Sequence, residues 1–438
     1  MQRRLVVFLS FPVLAGATNW YVSTGGSDAS NGTSLQSSFQ TIQKAANVTQ
    51  PGDTVLVAGG TYSNSCAGCD AVDITRSGTA SAWIVYQPVP GQHPVISFNG
   101  WNGISVHGGA SYIRITGFEI RGSRTQVRYE TCVADSLAAS PDPLCNGNGI
   151  FIDGRQDGPA KPHHIQIDHN RIWQCAGGGV GTAEADYITV EDNEVSENAW
   201  YSRYGASGIS YYLGWNLDAS PETKMIIRRN IVYDNRAIVD VTSGGVPPYA
   251  LSDGNCIIVD SNQNSTDSGS VPASGRTLVE NNLVFDCGGG GVTIFASAHV
   301  DVLNNTTFMN SQVVDYGEIF DNQSSDVQIE NNICYSRPGA TTIATYAPAA
   351  LLLDYNLYFN GTLRNATAGA HDLTADPLLA VAETDFARAD YHPLPGSPAI
   401  GSALASVAPS DDVYGKSRPA SPSRGAIEPR RQYRAAQP

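Results

Sequence analysis

The chain has 438 residues, of which 41% are hydrophobic and 15% charged, and its formal net charge is −15. This acidity argues against nucleic acid as a partner, because phosphate binding requires clustered Lys and Arg. No segment beyond the N-terminus approaches the roughly 18 apolar residues of a transmembrane helix, so we expect no membrane partner.

The N-terminus has the pattern of a secretory signal peptide. Arg3 and Arg4 precede an apolar run at residues 5–14, and Ala15, Gly16 and Ala17 form an A-x-A cleavage site. The sequence therefore predicts a signal peptide at residues 1–17 and a secreted, extracellular protein. A buried first strand is the alternative.

The cysteines and glycosylation sequons fit a secreted protein. The chain has eight cysteines, which are disulfide candidates outside the cell. Cys66 with Cys69, and Cys132 with Cys145, are plausible local pairs. N-x-S/T triplets, the first at Asn31, indicate a glycoprotein. The remaining cysteines lie in or beside repeat strands and can be small buried apolar residues instead: Cys175, Cys256, Cys287 and Cys334.

A short amphipathic helix is predicted before the first long run of strands. Phe39, Ile42, Ala45 and Ala46 lie at helical spacing after a Ser-Ser pair that can cap the helix. We expect this helix to cover the first strand of the following fold, whose edge would otherwise be open.

An asparagine then recurs at one point of a repeated apolar segment, as in IQIDHNRI (165–172), ITVEDNEV (188–195) and VQIENNIC (327–334). The base period is near two dozen residues with two long insertions, which indicates a solenoid of stacked coils. Stacked Asn side chains can bond one another at one tight bend per coil, where Asn also tolerates a left-handed backbone. The predicted ladder is Asn170, Asn193, Asn230, Asn282, Asn305, Asn332 and Asn356.

A second strand precedes each ladder strand, and NGIFID (148–153) matches NCIIVD (255–260) position for position. Stacked in register, the strand ends form one predicted outward column: Asp153, Ala183, Tyr212, Asp260, Phe295 and Asp321. Long insertions beside this sheet are expected to build a binding face. They are residues 123–147, 154–163, 213–223, 237–254 and 261–275.

These features resemble the right-handed parallel β-helix proteins of the pectate-lyase-like superfamily, and most closely the secreted proteins around polysaccharide lyase families 9 and 6. The resemblance covers nearly the whole mature chain. It implies an all-β fold, a single-stranded right-handed parallel β-helix with an N-terminal capping helix, over residues 18–401. Residues 402–438 are expected to close the last coil and end in a disordered tail. The carrying segments are WYVSTGGSDASNGTS (20–34), residues 39–62, the ladder coils, SDGNCIIVDS (252–261) and HPLPGSPAIG (392–401).

The resemblance implies a polysaccharide lyase that cleaves a uronate-containing polymer by β-elimination. Ca²⁺ would neutralise the uronate carboxylate, and a Lys or Arg would remove the C5 proton. Ca²⁺ prefers hard oxygen ligands, so Asp153, Asp253 and Asp260 are the expected metal ligands. The dense Asp cluster of family 9 has no counterpart in this chain.

Lys224 is the leading candidate base, because it flanks the central coils and a lowered pKa would free its amine. Asp260 and His164 are further catalytic candidates, since an imidazole titrates near neutral pH. The alternatives without a catalytic role are that Lys224 is a solvated loop lysine and that His164 is a hydrogen-bonded turn histidine. The other candidate bases are Lys161, Arg203, Arg236 and His163.

Aromatic residues crowd the middle coils and predict a saccharide cleft. Sugar rings present apolar C–H faces that stack on aromatic side chains, with polar partners beside them. Packing within loops would explain the same cluster. The expected substrate contacts are Tyr211, Tyr212, Trp215, Arg203 and Tyr204.

Two other functions remain open at this point. A glycoside hydrolase on the same face could pair Asp260 with Asp321, two coils and roughly 10 Å apart. Asp253 and Asp260, at opposite ends of one strand, are expected to be too far apart to pair, but an acid from an insertion, Asp218 or Glu222, could complete the pair. The third candidate function is non-catalytic glycan binding. In each case the expected partner is a polysaccharide and the expected state is a monomer.

Overall fold

A computed structural model describes residues 16–245, 247–263 and 271–430. The signal-peptide prediction lies almost wholly on residues 1–15, outside the described residues. The helices are α1 (Ile42–Ala46), α2 (Tyr129–Ser136) and α3 (Pro143–Asn146), with 3-10 turns at Leu35–Ser37 and Arg124–Gln126. No helix among the described residues is long and apolar enough to span a membrane.

Strands make up most of the remaining structure. In chain order they are β1 (Asn19–Val22), β2 (Thr54–Val57), β3 (Gly60–Tyr62), β4 (Val72–Ile74), β5 (Ile84–Pro88), β6 (Pro94–Ser97), β7 (Asn102–Val106), β8 (Ser111–Thr116), β9 (Glu119–Arg121), β10 (Asn148–Asp153), β11 (His163–Asp168), β12 (Arg171–Trp173), β13 (Val180–Ala183), β14 (Asp186–Glu191), β15 (Glu194–Ser196), β16 (Ile209–Tyr212), β17 (Thr223–Arg228), β18 (Ile231–Tyr233), β19 (Ile257–Asp260), β20 (Arg276–Glu280), β21 (Leu283–Phe285), β22 (Val292–Phe295), β23 (Ala298–Leu303), β24 (Thr306–Phe308), β25 (Ile319–Asn322), β26 (Ser325–Glu330), β27 (Ile333–Tyr335), β28 (Thr341–Tyr346), β29 (Ala349–Asp354), β30 (Leu357–Phe359), β31 (Thr362–Arg364), β32 (Leu373–Thr374), β33 (Leu379–Val381) and β34 (Asp390–Pro393).

Three long parallel sheets form a right-handed β-helix, which confirms the predicted fold. Sheet one has the order β1-β2-β5-β8-β11-β14-β17-β20-β23-β26-β29. Sheet two runs β4-β7-β10-β13-β16-β19-β22-β25-β28-β31, and sheet three runs β3-β6-β9-β12-β15-β18-β21-β24-β27-β30-β32. In the central coils each strand pairs with the strand three places later, so one turn contributes one strand to every sheet. Strands β33 and β34 form a separate antiparallel pair.

The core is a stack of inward-facing β-branched residues. In β11, Ile165 and Ile167 pair with Ile188 and Val190 of β14, and all four are buried. Alternate residues point outward, as the period of two in a strand requires. Each buried Ile or Val contributes about 1.5–3 kcal/mol relative to an exposed one, so the coils are stabilised mainly by their neighbours.

The asparagine ladder forms as predicted, although its backbone differs. Oδ1 of Asn193 accepts hydrogen bonds from the backbone N–H and from Nδ2 of Asn170, at 3.0 and 3.1 Å. The pattern repeats through to Asn356. The left-handed residue is the one before each ladder Asn, such as His169 (φ 56°). The ladder side chains are therefore held by bonds to neighbouring coils rather than by a left-handed conformation of their own.

A second, shorter ladder was not predicted. Oδ1 of Asn235 accepts from the backbone N–H and from Nδ2 of Asn198, at the bend between sheets three and two. Asn310 lies one coil after Cys287, and its Oδ1 accepts a hydrogen bond from the backbone N–H of Cys287. The buried carboxyl group of Glu318 accepts from the backbone N–H and from Nδ2 of Asn310. Burial raises the pKa of Glu318 to about 7.

Disulfides connect the insertions and the core. The predicted pairs Cys66–Cys69 and Cys132–Cys145 are both present. Cys256 and Cys287 form a third disulfide, so their interpretation as isolated apolar residues was wrong. Cys256 directly precedes β19 of sheet two and Cys287 follows β21 of sheet three, so the bond links two different points of neighbouring coils. The two remaining cysteines, Cys175 and Cys334, are free and buried.

The two terminal segments of the chain pack against different parts of the solenoid. Helix α1 buries Ile42, Ala45 and Ala46 against the first strands, and it begins after Thr41, whose side chain caps it. The C-terminal segment runs along the outer side of sheet three instead of covering only the last coil. There Val413 and Ile427 pack in one cluster with Phe285 and Phe308.

Candidate active site

A cleft of about 690 Å³ lies on the outer face of sheet two. Its floor is made of outward-facing residues of β10, β13, β16 and β19. Its walls come from α3, from residues 202–207 and from the insertion before β19. Insertions thus flank this sheet, as predicted. The residues used below are Phe151, Asp153, Arg155, Tyr204, Tyr212, Asp253 and Asp260.

Strand pairing places the acids along the floor. Asp153 pairs with Ala183, Ala183 with Tyr212, and Tyr212 with Asp260. These four residues form the outward column that the sequence predicted. At about 4.8 Å per coil, Asp153 and Asp260 are separated by roughly 14 Å.

The predicted column is wrong at its last member. Phe295 pairs with Asn322, whereas Asp321 pairs with the inward-facing Ile294. Asp321 therefore points into the core and is 0% exposed. A slip of one residue along a strand moves a side chain to the other face. The proposed hydrolase pair of Asp260 with Asp321 is excluded by this register.

Asp260 stands at the carboxyl end of β19 and faces the cleft. Its Oδ1 accepts a hydrogen bond of 2.7 Å from Ser261 Oγ. Burial raises its pKa to about 6, and the serine bond offsets only part of that effect. The carboxyl group can therefore exchange a proton close to neutral pH.

Asp253 reaches the same cleft from the insertion before β19. Ser252 Oγ donates to its Oδ2 at 2.9 Å, and a Cβ on Gly205 would stand only 2.7 Å from that oxygen. The backbone at Gly205 has φ +67°, so a glycine suits this close approach. Burial, and next the charge of Asp260, raise the pKa of Asp253 to about 7. The two carboxyl groups are thus electrostatically coupled.

Asp153 forms an ion pair with Arg155 within the cleft. Its two oxygens accept from Nε and Nη2 of Arg155 at 2.9 and 2.8 Å. Burial alone would raise the pKa of Asp153, but the guanidinium holds it below its usual range.

The expected calcium ligands do not fit a calcium cage in this arrangement. Ca²⁺ takes 6–8 oxygen ligands, mostly carboxylates and carbonyls. Asp153 already holds an arginine, and it stands three coils from Asp260. Within the described ranges, no group of three or more His, Cys, Asp or Glu side chains is placed to hold a metal.

Lys224 lies outside the cleft, on β17 of sheet one, and is 3% exposed. Its Nζ bonds to Asp186 and to Asp218, each at 3.0 Å. Burial would lower the pKa of Lys224, but these bonds outweigh burial and raise it. Its assignment as the base stays a prediction, and it requires the lysine to leave both partners. Lys161 is likewise buried, with bonds to Glu184 and to the Gly154 carbonyl.

His164 is also on sheet one, within β11. Its ring stacks between Tyr112 and Tyr187, with centroids 4.7 and 4.5 Å away, and its Nδ1 bonds to His163. Burial lowers the pKa of His164. The structure therefore does not bring it together with Asp260.

The predicted substrate contacts separate into two groups. Tyr212 and Tyr204 line the cleft, and Tyr204 is 47% exposed. Tyr211 points into the core at 2% exposure, so a contact with substrate is not available to it. Trp215 and Arg203 do not line the cleft, and Arg203 donates to the carbonyl of Ala138 just after α2.

The sequence reading missed several residues of the cleft. Phe151 faces outward between the buried Ile150 and Ile152, and strand alternation could have identified it. Trp101 and Arg155 lie just outside strand ends, where no periodic pattern marks them.

Comparisons with known proteins confirm the resemblance to pectate-lyase-like β-helix proteins. Residues 20–176 match the family model of the Pel9A-like right-handed β-helix region. Pectate lyase PEL9 of Emericella nidulans (strain FGSC A4 / ATCC 38163 / CBS 112.46 / NRRL 194 / M139) is 37% identical over 97 residues, and the match spans 22% of each chain.

Two solved structures are similar over most of this chain. The crystal structure of pectate lyase Pel9A has a TM-score of 0.54 at 14% identity, covering 95% of this chain and 98% of that one. A structure described as a glycoside hydrolase has a TM-score of 0.48 at 10% identity, covering 78% and 96%. The Pel9A likeness establishes the fold. The reaction has to be argued from the site.

Proposed function

We propose that this chain is a carbohydrate-active enzyme that hydrolyses glycosidic bonds, with Asp253 as general acid and Asp260 as the second carboxylate. One observation carries the proposal. Two coupled carboxyl groups with raised pKa values, about 7 and about 6, face a single cleft. Glycosidases use two carboxyl groups in different protonation states, and neighbouring environments set those states apart.

The order of the two pKa values distinguishes the proposed catalytic roles of Asp253 and Asp260. Near pH 6.5, Asp253 keeps its proton and can donate it to the glycosidic oxygen as the leaving sugar departs. Asp260 is then mostly ionised and acts on the opposite side, as base toward water or as nucleophile toward the anomeric carbon. Ser261 and Ser252 each donate to one of these carboxyl groups and hold it in place. Tyr204 and Tyr212 offer aromatic contacts for sugar rings.

Among the described residues that line the cleft there is no lysine, and Arg155 is the one arginine. It is bound to Asp153 through both carboxylate oxygens. A β-elimination needs a base for the C5 proton and a positive group for the uronate. The cleft therefore offers proton transfer by carboxyl groups more readily than uronate neutralisation.

A polysaccharide lyase acting on a uronate polymer is the second candidate. It is favoured by the match to the Pel9A-like model and by the partial likeness to pectate lyase PEL9. On that reading Lys224 would be the base and Ca²⁺ the neutralising ion, as the resemblance implies. The two ion pairs of Lys224 weigh against this assignment.

We also propose that the protein acts outside the cell, as a monomer, on a polysaccharide. Three disulfides support an oxidising compartment, because such bonds rarely persist in the cytosol. The N-terminal signal pattern supports export.

The proposal is tested by comparing wild type with Asp253→Asn and Asp260→Asn on neutral and uronate polysaccharides. Wild type should release reducing ends, and each variant should lose at least about a hundredfold in rate, as expected for removing an acid or base. Asp240→Asn is the matched control, because Asp240 is exposed in the same insertion and does not line the cleft. Full activity in both cleft variants would overturn the proposal.

A further inference from the structure

A second cavity of about 400 Å³ adjoins the cleft on the side of the first coils. The two cavities share Trp101, Asn102 and Asp153 in their walls. They are therefore successive parts of one groove along sheet two. We propose that the second cavity is a further saccharide-binding subsite, with Trp101 as its aromatic platform and an uncharged sugar residue as its ligand. This inference rests on the proposed function, since the sugar belongs to the chain cleaved at Asp260.

Trp101 is fixed in place by the fold around it. The backbone N–H of Asn148 donates to its carbonyl at 2.8 Å, which ties it to β10. On its other side the Cys66–Cys69 loop presses against Gly100, where an added Cβ would stand 1.8 Å from the Cys69 carbonyl oxygen. Only glycine tolerates that approach. The disulfide loop thus forms a wall of the cavity beside the tryptophan.

The polar groups around Trp101 are hydrogen-bond acceptors suited to sugar hydroxyls. Asn102 Nδ2 donates to Asp70 at 3.0 Å, and Asp157 also lines the cavity. Asp70 and Asp157 each retain acceptor capacity, because a carboxylate offers about four lone-pair sites. A sugar is recognised by acceptors for its hydroxyl groups placed beside an aromatic ring that stacks on its C–H face.

The charges indicate that the bound sugar is neutral. Arg155 is paired with Asp153, and His107 Nε2 lies 2.6 Å from an oxygen of Asp73. Asp70 and Asp157 add negative charge without a cationic partner among the described residues. A uronate carboxylate placed here would meet like charge with no compensating cation. Neutral hexose or pentose residues meet no such penalty.

The position of Trp101 predicts a dependence on chain length. It directly precedes β7, and β7 lies four strands from β19 in sheet two. At about 4.8 Å per strand, this places Trp101 roughly 19 Å from the coil of Asp260. A disaccharide at the carboxyl pair cannot reach it, whereas a longer oligosaccharide can.

The test measures binding by calorimetry in the Asp260→Asn background. The probes are neutral xylo-, galacto- and gluco-oligosaccharides from disaccharide to hexasaccharide, with oligogalacturonates as charged counterparts. Trp101→Ala should weaken hexasaccharide binding about fivefold to tenfold and leave disaccharide binding unchanged. Trp101→Phe should retain most of the affinity. Trp83→Ala is the matched control, because Trp83 contacts Tyr112 on sheet one and lines neither cavity.

If Trp101→Ala loses the same affinity for short and long oligosaccharides, or loses none, the proposed subsite is overturned. Tighter binding of oligogalacturonates than of neutral chains would overturn the choice of ligand. Absence of binding by every probe would also overturn the subsite. Cleavage of the polysaccharide panel by wild type decides the proposed function separately, so the two failures are distinguishable.

Discussion

Replacing Asp253 by Asn is expected to stabilise the protein at alkaline pH while removing its proposed activity. Burial and the charge of Asp260 raise the pKa of Asp253 from 3.8 to about 7. The folded state therefore binds this proton more tightly than the unfolded chain. Its contribution to stability is fully present below about pH 3.8 and is lost as the pH rises through about 7. At 1.36 kcal/mol per pH unit, the loss amounts to about 4 kcal/mol.

The measurement is thermal unfolding of wild type and Asp253→Asn at pH 4 and pH 8. Asn resembles the protonated acid, so the melting temperatures should nearly coincide at pH 4. At pH 8 the variant should melt several degrees higher. Asp240→Asn should show no such pH-dependent difference. A variant that is less stable than wild type at pH 8 would refute the reasoning, because it would mean that the ionised carboxylate is favourably paired.

Three further outcomes are expected. Activity should follow a narrow bell between about pH 6 and 7, since it needs Asp260 ionised and Asp253 protonated; a rate that keeps rising above pH 8 would contradict this. Lys224→Met should cost about 3–5 kcal/mol of unfolding free energy by stranding Asp186, while folded protein stays active; a folded but inactive variant would favour the lyase. Asn282→Ala should cost about 2–4 kcal/mol in chemical denaturation, because it leaves buried backbone groups without partners; an unchanged midpoint would contradict the ladder's role.

The solenoid could be predicted because its determinants are local and repeated. A ladder Asn must occur once per coil, and each copy gives an independent reading of the same pattern. The outward column was correct wherever strands matched in length and sequence, as for Asp153 and Asp260. It failed at Asp321, where the strand begins one residue out of the expected alignment and the period of two reverses the face.

The site was only partly readable because the insertions have no periodic pattern. Asp253 was expected near the exposed sheet but too far from Asp260 to pair with it, whereas the charge of Asp260 contributes to the raised pKa of Asp253. Lys224 was chosen for its position beside a loop, but that loop delivers Asp218 and encloses the amine. The Cys256–Cys287 pair could not be inferred from the repeat, because its two members lie at different points of the coil and Cys287 stacks on Asn310 instead.

Product analysis after incubation with neutral and uronate polysaccharides, with and without a calcium chelator, tests the central claim most directly. Our account predicts new reducing ends that require Asp253 and Asp260, no ultraviolet absorbance of an unsaturated uronate, and no effect of the chelator. A calcium-dependent rise of that absorbance would contradict the hydrolase and establish the lyase.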